Sequence, residues 1–396
     1  MPGCTSVELL SDSLLGSPMR WISSVDMCRL RSFPIGRPAE TGACRGALPF
    51  SRRTCSALGV ALLVLSAGLP FAAWSQEAQT WPVRHRLLGK DGAKSEDVSG
   101  IACARQSGFP RPCLVIDDEL QSAQFVVVDD GELRAGSSLP LIANEYDNKP
   151  LELDGEGVAY FDGAFYVIGS HGHPRDKKIK LDPIADKRKI DAKIAASSQI
   201  IQIQMKPSAG LPMTASDVAG IQRSSKLREI IAADPTLKPF VDRRLEDNGA
   251  TIEGIAIVKK RIFVGFRAPV LNDSRAPILS VPLDAIFGEA QGPARLHAIP
   301  LREGSGVRDL AAYDDGILIL AGPSGDGAGR YDVYWWDGDG EDVRHLANIT
   351  KAVRAGAGRK PEAILPLDRD DSGLRVLILS DGAEEGEPHV VVVPFP

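Results

Sequence analysis

Carboxylates are the residues of this chain whose placement could do chemistry, because they return at one position of a repeated motif. Glu156 leads into Gly157-Val158-Ala159, Glu253 into Gly254-Ile255-Ala256, Asp309 into Leu310-Ala311 and Glu362 into Ala363-Ile364. Ser99-Gly100-Ile101-Ala102 is a fifth copy without the acid. Each copy continues through an apolar strand and a turn to a second strand with a polar tip: Asp118 and Glu119, His171 and His173, Arg267, Ser324 and Asp326, and Asp381. Side chains alternate along a strand, so Glu156, Glu253, Asp309 and Glu362 can point toward one axis and share a rim with those tips. A ring of carboxylates is costly unless positive charge compensates it. Arg267, Arg308, Lys360 or a bound cation could do so.

Three roles follow for the acids. Several oxygens at one face suit calcium, or magnesium with retained waters, and the metal-ligand candidates are Glu156, Glu253, Asp309 and Glu362. A hydrolase would use a carboxylate or His171 as general base and Arg267 to hold an anion. Alternatively, each acid accepts backbone N–H bonds from the neighbouring repeat and pins the repeats together. Other signals are weak. There is no G-x-S-x-G elbow, and Ser170 and His171, being adjacent on an extended chain, point apart. Gly322-Pro323-Ser324-Gly325-Asp326-Gly327 lacks the lysine and helix of a phosphate loop. His85, His297, His345 and His389 fall in predicted third or fourth strands and read as structural, as do Trp335 and Trp336 in an outer strand.

The elements that must position these residues follow from the repeat. Ser99, Glu156, Glu253, Asp309 and Glu362 are separated by 57, 97, 56 and 53 residues, and each interval holds about four short strands. Radial repetition of four-stranded units makes a β-propeller. The expected fold is all-β, a five-bladed propeller, with six blades as the alternative. The chain ends one strand short, after His389–Pro394, and begins with Trp81–Leu88, a strand with no blade of its own. Pairing the two closes the ring and hides two sheet edges. The long interval predicts a partly helical insertion around 174–250. There, Val218, Ile221, Leu227, Ile230 and Ile231 recur near helical spacing within Ser216–Ala233, as in an amphipathic helix packed over one face or a lid.

Residues 1–75 read differently. Arg52-Arg53, the apolar run Ala57–Leu69 and small residues at Ala73 and Ser75 describe a secretory signal peptide, too short to span a membrane. The expected product is therefore periplasmic or secreted, a propeller domain over 76–396. Its removal takes away seven arginines and four acids, moving the net charge from -6 to about -9. That balance disfavours nucleic acid and anionic membranes and permits cations. A small molecule or a cell-envelope component is the expected partner, and a monomer the expected state. Cys103 and Cys113 alone remain, placed symmetrically about Gly108 in a predicted hairpin, which in an oxidising compartment favours a disulfide. Two separate buried thiols are the alternative.

Glu156-Gly157-Val158-Ala159, Ile252-Glu253-Gly254-Ile255-Ala256 with Phe266-Arg267-Ala268-Pro269, and Val307-Arg308-Asp309-Leu310-Ala311 resemble a family of exported bacterial proteins classed as a domain of unknown function. More distantly, the motifs are similar to those of phytase-like and esterase-like propellers, whose blades open on E-G-[ILV]-[AT] repeats. The resemblance spans residue 95 to the C-terminus. It implies the propeller fold and no particular activity; metal-assisted ester or phosphoester hydrolysis is what the distant likeness would add. The clustered aspartates of the phytase pattern are not visible in this sequence.

Overall fold

The computed structural model describes residues 78–175, 181–289, 292–356 and 358–395. The signal-peptide reading of 1–75 lies outside them. Five sheets form the blades of a propeller. From the channel outward, blade 1 is Val98–Cys103, Arg111–Asp117, Ser122–Asp129 and Glu132–Pro140. Blade 2 is Gly155–Phe161, Ala164–Gly169, Ile200–Met205 and Val218–Ser224; blade 3 is Thr251–Val258, Arg261–Ala268, Ala276–Pro282 and Arg295–Ile299. Blade 4 is Ser305–Tyr313, Gly316–Pro323, Asp332–Trp336 and Val343–Asn348. Blade 5 takes Lys360–Asp370, Gly373–Asp381 and His389–Val393 from the end of the chain and Gln79–Thr80 from its beginning. No sixth blade occurs among the described residues.

The second strands of the blades are near-continuous apolar runs because both of their faces are buried, whereas outer strands such as Val218–Ser224 and Val343–Asn348 are polar and partly exposed. Along one strand of blade 4, Ile317 and Ile319 pack with Phe263 and Ile278 of blade 3, while Leu318 and Leu320 pack with Ile364 and Val376 of blade 5. The core is thus divided into wedges between neighbouring blades. At about 25 cal/mol per Å2 of apolar surface removed from water, these wedges supply the main force holding the ring.

The N-terminal closure occurs, but earlier in the chain than the sequence suggests. Gln79 pairs with Val390, whereas Val83–Arg84 joins the outer edge of blade 1 in parallel, Val83 opposite Leu133. Trp81, between them, is 1% exposed and fills the wedge between blades 5 and 1. Arg111, fully buried, strengthens the same seam by donating to the carbonyls of Pro366 (3.0 Å) and Leu367 (2.6 Å). Cys103 and Cys113 stand opposite each other in the register and form a disulfide.

The helix expected over Ser216–Ala233 is two elements. Val218–Ser224 is the outer strand of blade 2, and only Lys226–Ala233 is helical. The misreading has a physical cause. A bulge shifts the register between Gly220 and Val218, which puts Val218 and Ile221 on one face three residues apart rather than two; Ser224, half-buried too, lies beyond it in regular pairing. The rest of the insertion includes a helix at Lys187–Ser197. Of the histidines read as structural, His297, His345 and His389 lie in third or fourth strands, whereas His85 follows the edge strand with φ 61°. Trp336 is fully buried between blades 3 and 4, beside Phe263 and His297. Among the described residues no helix is long and apolar enough to cross a membrane.

Candidate functional site

The motif residues sit at a defect common to all five blades. Pairing between the first two strands of each blade skips one residue on the inner strand: Ser99, Glu156, Glu253, Arg308 and Glu362. A bulge frees one residue from the ladder and re-aims its side chain. The residue after it is small where neighbouring inner strands touch. A Cβ on Gly254 would lie 2.7 Å from the Leu310 nitrogen, and one on Gly100 the same distance from the Gly157 Cα. That contact accounts for the Glu-Gly pairing in the repeat.

Blade 4 carries a correction. Its bulged residue is Arg308, and Asp309 occupies the position held by glycine in blades 1 to 3. Asp309 turns to the neighbouring blade, accepting from its own Leu310 N–H at 2.7 Å and from Ile364 N–H of blade 5 at 2.8 Å. It is the blade-to-blade clamp considered for every acid. Its carboxyl is pushed well above the usual range by burial, against the pull of those two hydrogen bonds. Asp309→Ala should therefore cost about 2 kcal/mol of stability in urea unfolding while leaving cation affinity unchanged.

The other ring residues border a cavity of about 230 Å3 at one mouth of the channel, with nine carboxylates and four cationic side chains among its lining. Six of the nine are accounted for. Glu253 accepts a hydrogen bond from Arg267 at 2.9 Å and is ion-paired with Arg308 at 3.0 Å, and Arg308 also pairs with Glu362, giving a buried alternating row across blades 3, 4 and 5. Lys360 holds Asp381 at 2.6 Å, and Lys90 reaches Glu152 at 2.9 Å and Glu119 at 3.4 Å. Asp97 also has a partner.

The remaining three are Asp118, Asp154 and Glu156. Each offers a carboxylate oxygen within 4.8 Å of the others. Glu156 is 7% exposed and has no hydrogen bond or ion pair among the described residues. Asp118 Oδ1 is buried without a partner, and Asp154 receives only the Ser170 hydroxyl. Burial, then the neighbouring carboxylates Glu253, Asp154 and Asp118, hold Glu156 well above the usual carboxylate range. Burial and then Asp154 do the same to Asp118; Asp154 is raised by burial, opposed by the Ser170 bond. Arg175 offsets part of this charge without forming an ion pair to any of the three; three crowded hard oxygen donors match calcium, magnesium or manganese, with coordination positions left for water or a ligand. The cluster absent from the linear sequence is assembled through space.

Several expected residues lie elsewhere. His171 does not line the cavity; its Nδ1 meets the Gly169 carbonyl at 3.0 Å, and burial lowers its pKa to about 4. Arg267 lines the cavity but is engaged by Glu253, Asp326 and the carbonyls of Ser324 and Gly325. His173 and Arg175, from the loop after the second strand of blade 2, and Lys193, from the insertion helix, do line it. Sequence reading missed Asp154. A signal existed: Asp97, Asp154, Thr251 and Lys360 each stand two residues before a bulged position, and all four line the cavity.

Fold and site together define a five-bladed β-propeller with an acidic cavity at one mouth of its channel. The chain belongs to the family described as "Protein of unknown function (DUF3616)", whose model matches residues 115–389. No curated protein matches the sequence. Among solved structures, an exo-beta-1,3-galactanase from Phanerochaete chrysosporium is similar at 10% identity and TM-score 0.39, with 80% of this chain and 64% of the galactanase covered. The Bacillus subtilis arabinanase Arb43A is similar at 9% identity and TM-score 0.34, covering 79% and 95%. Likenesses of this degree say nothing about ligand or activity.

Proposed function

We propose that this protein is an exported binding propeller that holds a divalent cation on Asp118, Asp154 and Glu156 and, through it, a small oxygen-bearing molecule in the channel mouth. The observation that carries the reading is the division of the cavity's acids: six have partners, and the three that form no ion pair among the described residues are the three that converge. Burying such a group of carboxylates is unfavourable unless a positive charge joins them. Export is supported by the disulfide. The cation would fix ligand oxygens, and the surrounding Arg–Glu row would keep its neighbours in place.

Calorimetric titration of metal-stripped protein with calcium, magnesium and manganese tests this. One site per chain is expected, with affinity at least tenfold weaker in Glu156→Gln and unchanged in Asp309→Ala. Equal affinity in Glu156→Gln and the parent would remove the cation from the triad. Hydrolysis is the second reading, favoured by His173 lining the same cavity as the triad. It predicts calcium-dependent turnover of p-nitrophenyl acetate or p-nitrophenyl phosphate, lost in His173→Gln. Cation binding without turnover leaves the binding reading.

A further inference from the structure

The glycine-rich stretch that ends the second strand of blade 4 and continues beyond it, Gly322–Gly329, has no part in the cation site, yet it crosses to two other blades. Its Asp326 carboxylate is gripped by two arginines. Arg175, from blade 2, donates Nη1 to Oδ1 at 2.9 Å and to Oδ2 at 3.2 Å. Arg267, from blade 3, donates Nη2 to Oδ1 at 2.8 Å. Both arginines line the cavity. The Arg267 side chain is 1% exposed beneath this strap, while Asp326 is 47% exposed above it. Two guanidinium groups, each presenting one terminal nitrogen to the same carboxylate, make a charged donor pair suited to carboxylates and phosphates. What occupies that geometry here is a half-exposed side chain on a glycine-rich loop. Burial would raise the Asp326 carboxyl, but Arg175 and Arg267 outweigh it and leave its pKa at about 2, so it is an anion throughout the physiological range.

We infer that Arg175 and Arg267 form a binding site for the anionic group of a small-molecule ligand, and that Asp326 is the resident carboxylate which that group displaces. Exchanging one anion for another leaves the charge on the arginines balanced, so a cavity rich in carboxylates can still admit an anionic ligand. The strap lifts when the ligand enters. The site goes beyond the cation reading and can stand or fall separately from it.

The test uses metal-stripped full-length protein, with inorganic phosphate and acetate as calorimetric probes. Asp326→Asn, which empties the site of its own charge, should bind at least one probe tenfold or more tighter than the parent. Arg175→Gln added to it should cancel the gain. Phosphate alone gaining identifies a phosphorylated ligand; acetate alone identifies a carboxylate. A folded Asp326→Asn protein that binds both no better than the parent overturns the inference. If that variant does not fold, hydrogen exchange on the parent decides: phosphate or acetate should accelerate exchange at Gly325–Gly329, and unchanged exchange with both overturns it.

Discussion

Replacing Arg308 with methionine is expected to cost about 3–5 kcal/mol of folding stability at pH 7, the loss typical of breaking a buried ion pair from one side. Arg308 is 1% exposed and stands between Glu253 and Glu362, which belong to different blades. Its loss leaves Glu362 with only a long contact to Ser99 Oγ at 3.5 Å, while Glu253 keeps Arg267. The asymmetry gives the prediction its control. Arg308→Met combined with Glu362→Gln removes the stranded charge and should recover most of the loss, because the cost lies in the orphaned carboxylate. Urea unfolding of the three proteins measures this. Equal stability of the single and double variants would mean that Arg308 acts by packing alone.

The second large effect is a pH dependence that calcium reduces. Asp118, Asp154 and Glu156 are raised by burial, and burial also raises Asp117 to about 7 despite its bond from Ser95. A carboxyl raised on folding contributes stability below its unfolded pKa, and that contribution is lost as pH rises through its folded value. The cation-free protein should therefore gain stability as pH falls toward 7, by roughly 1.4 kcal/mol per pH unit for each proton taken up. The window stops near 7 for a reason. His171, His297 and His389 are lowered by burial, so below their unfolded pKa, and on through their folded values, they oppose the trend. Calcium binds the ionised triad, so saturating calcium should stabilise most at pH 8.5, by about 2.7 kcal/mol at a hundredfold excess over Kd, and less as protons compete. Thermal melts across pH, with and without calcium, read this directly. Asp117 and Asp309, also raised by burial, keep a part of the slope that calcium does not touch; a slope of equal size with and without calcium would detach the triad from the cation.

The fold was legible because each blade repeats one pattern and buries both faces, which writes the architecture as apolar runs at regular intervals. The closing strand was misplaced by a few residues, since Trp81 looks like a strand residue but serves as a plug between blades. The site was legible as a list of acids and not as a grouping. Motif alignment put Asp309 in the ring because it is acidic, whereas the ring position is set by which residue the ladder skips, and that is Arg308. Pairing also cannot be read along the chain. Glu253 and Glu362 differ from Glu156 in being ion-paired to arginines, and the Arg308 contacts that link them are made across blades. The cation triad draws one residue from the end of a strand in blade 1 and two from the start of blade 2, 36 and 38 positions further on.

Diffraction from crystals soaked in manganese, recorded near the manganese absorption edge, tests the central claim most directly. One strong anomalous peak is expected within coordination distance of the carboxylates of Asp118, Asp154 and Glu156, disappearing in Glu156→Gln. A peak elsewhere in the channel, or none there at saturating manganese, would contradict a cation site in this propeller's mouth.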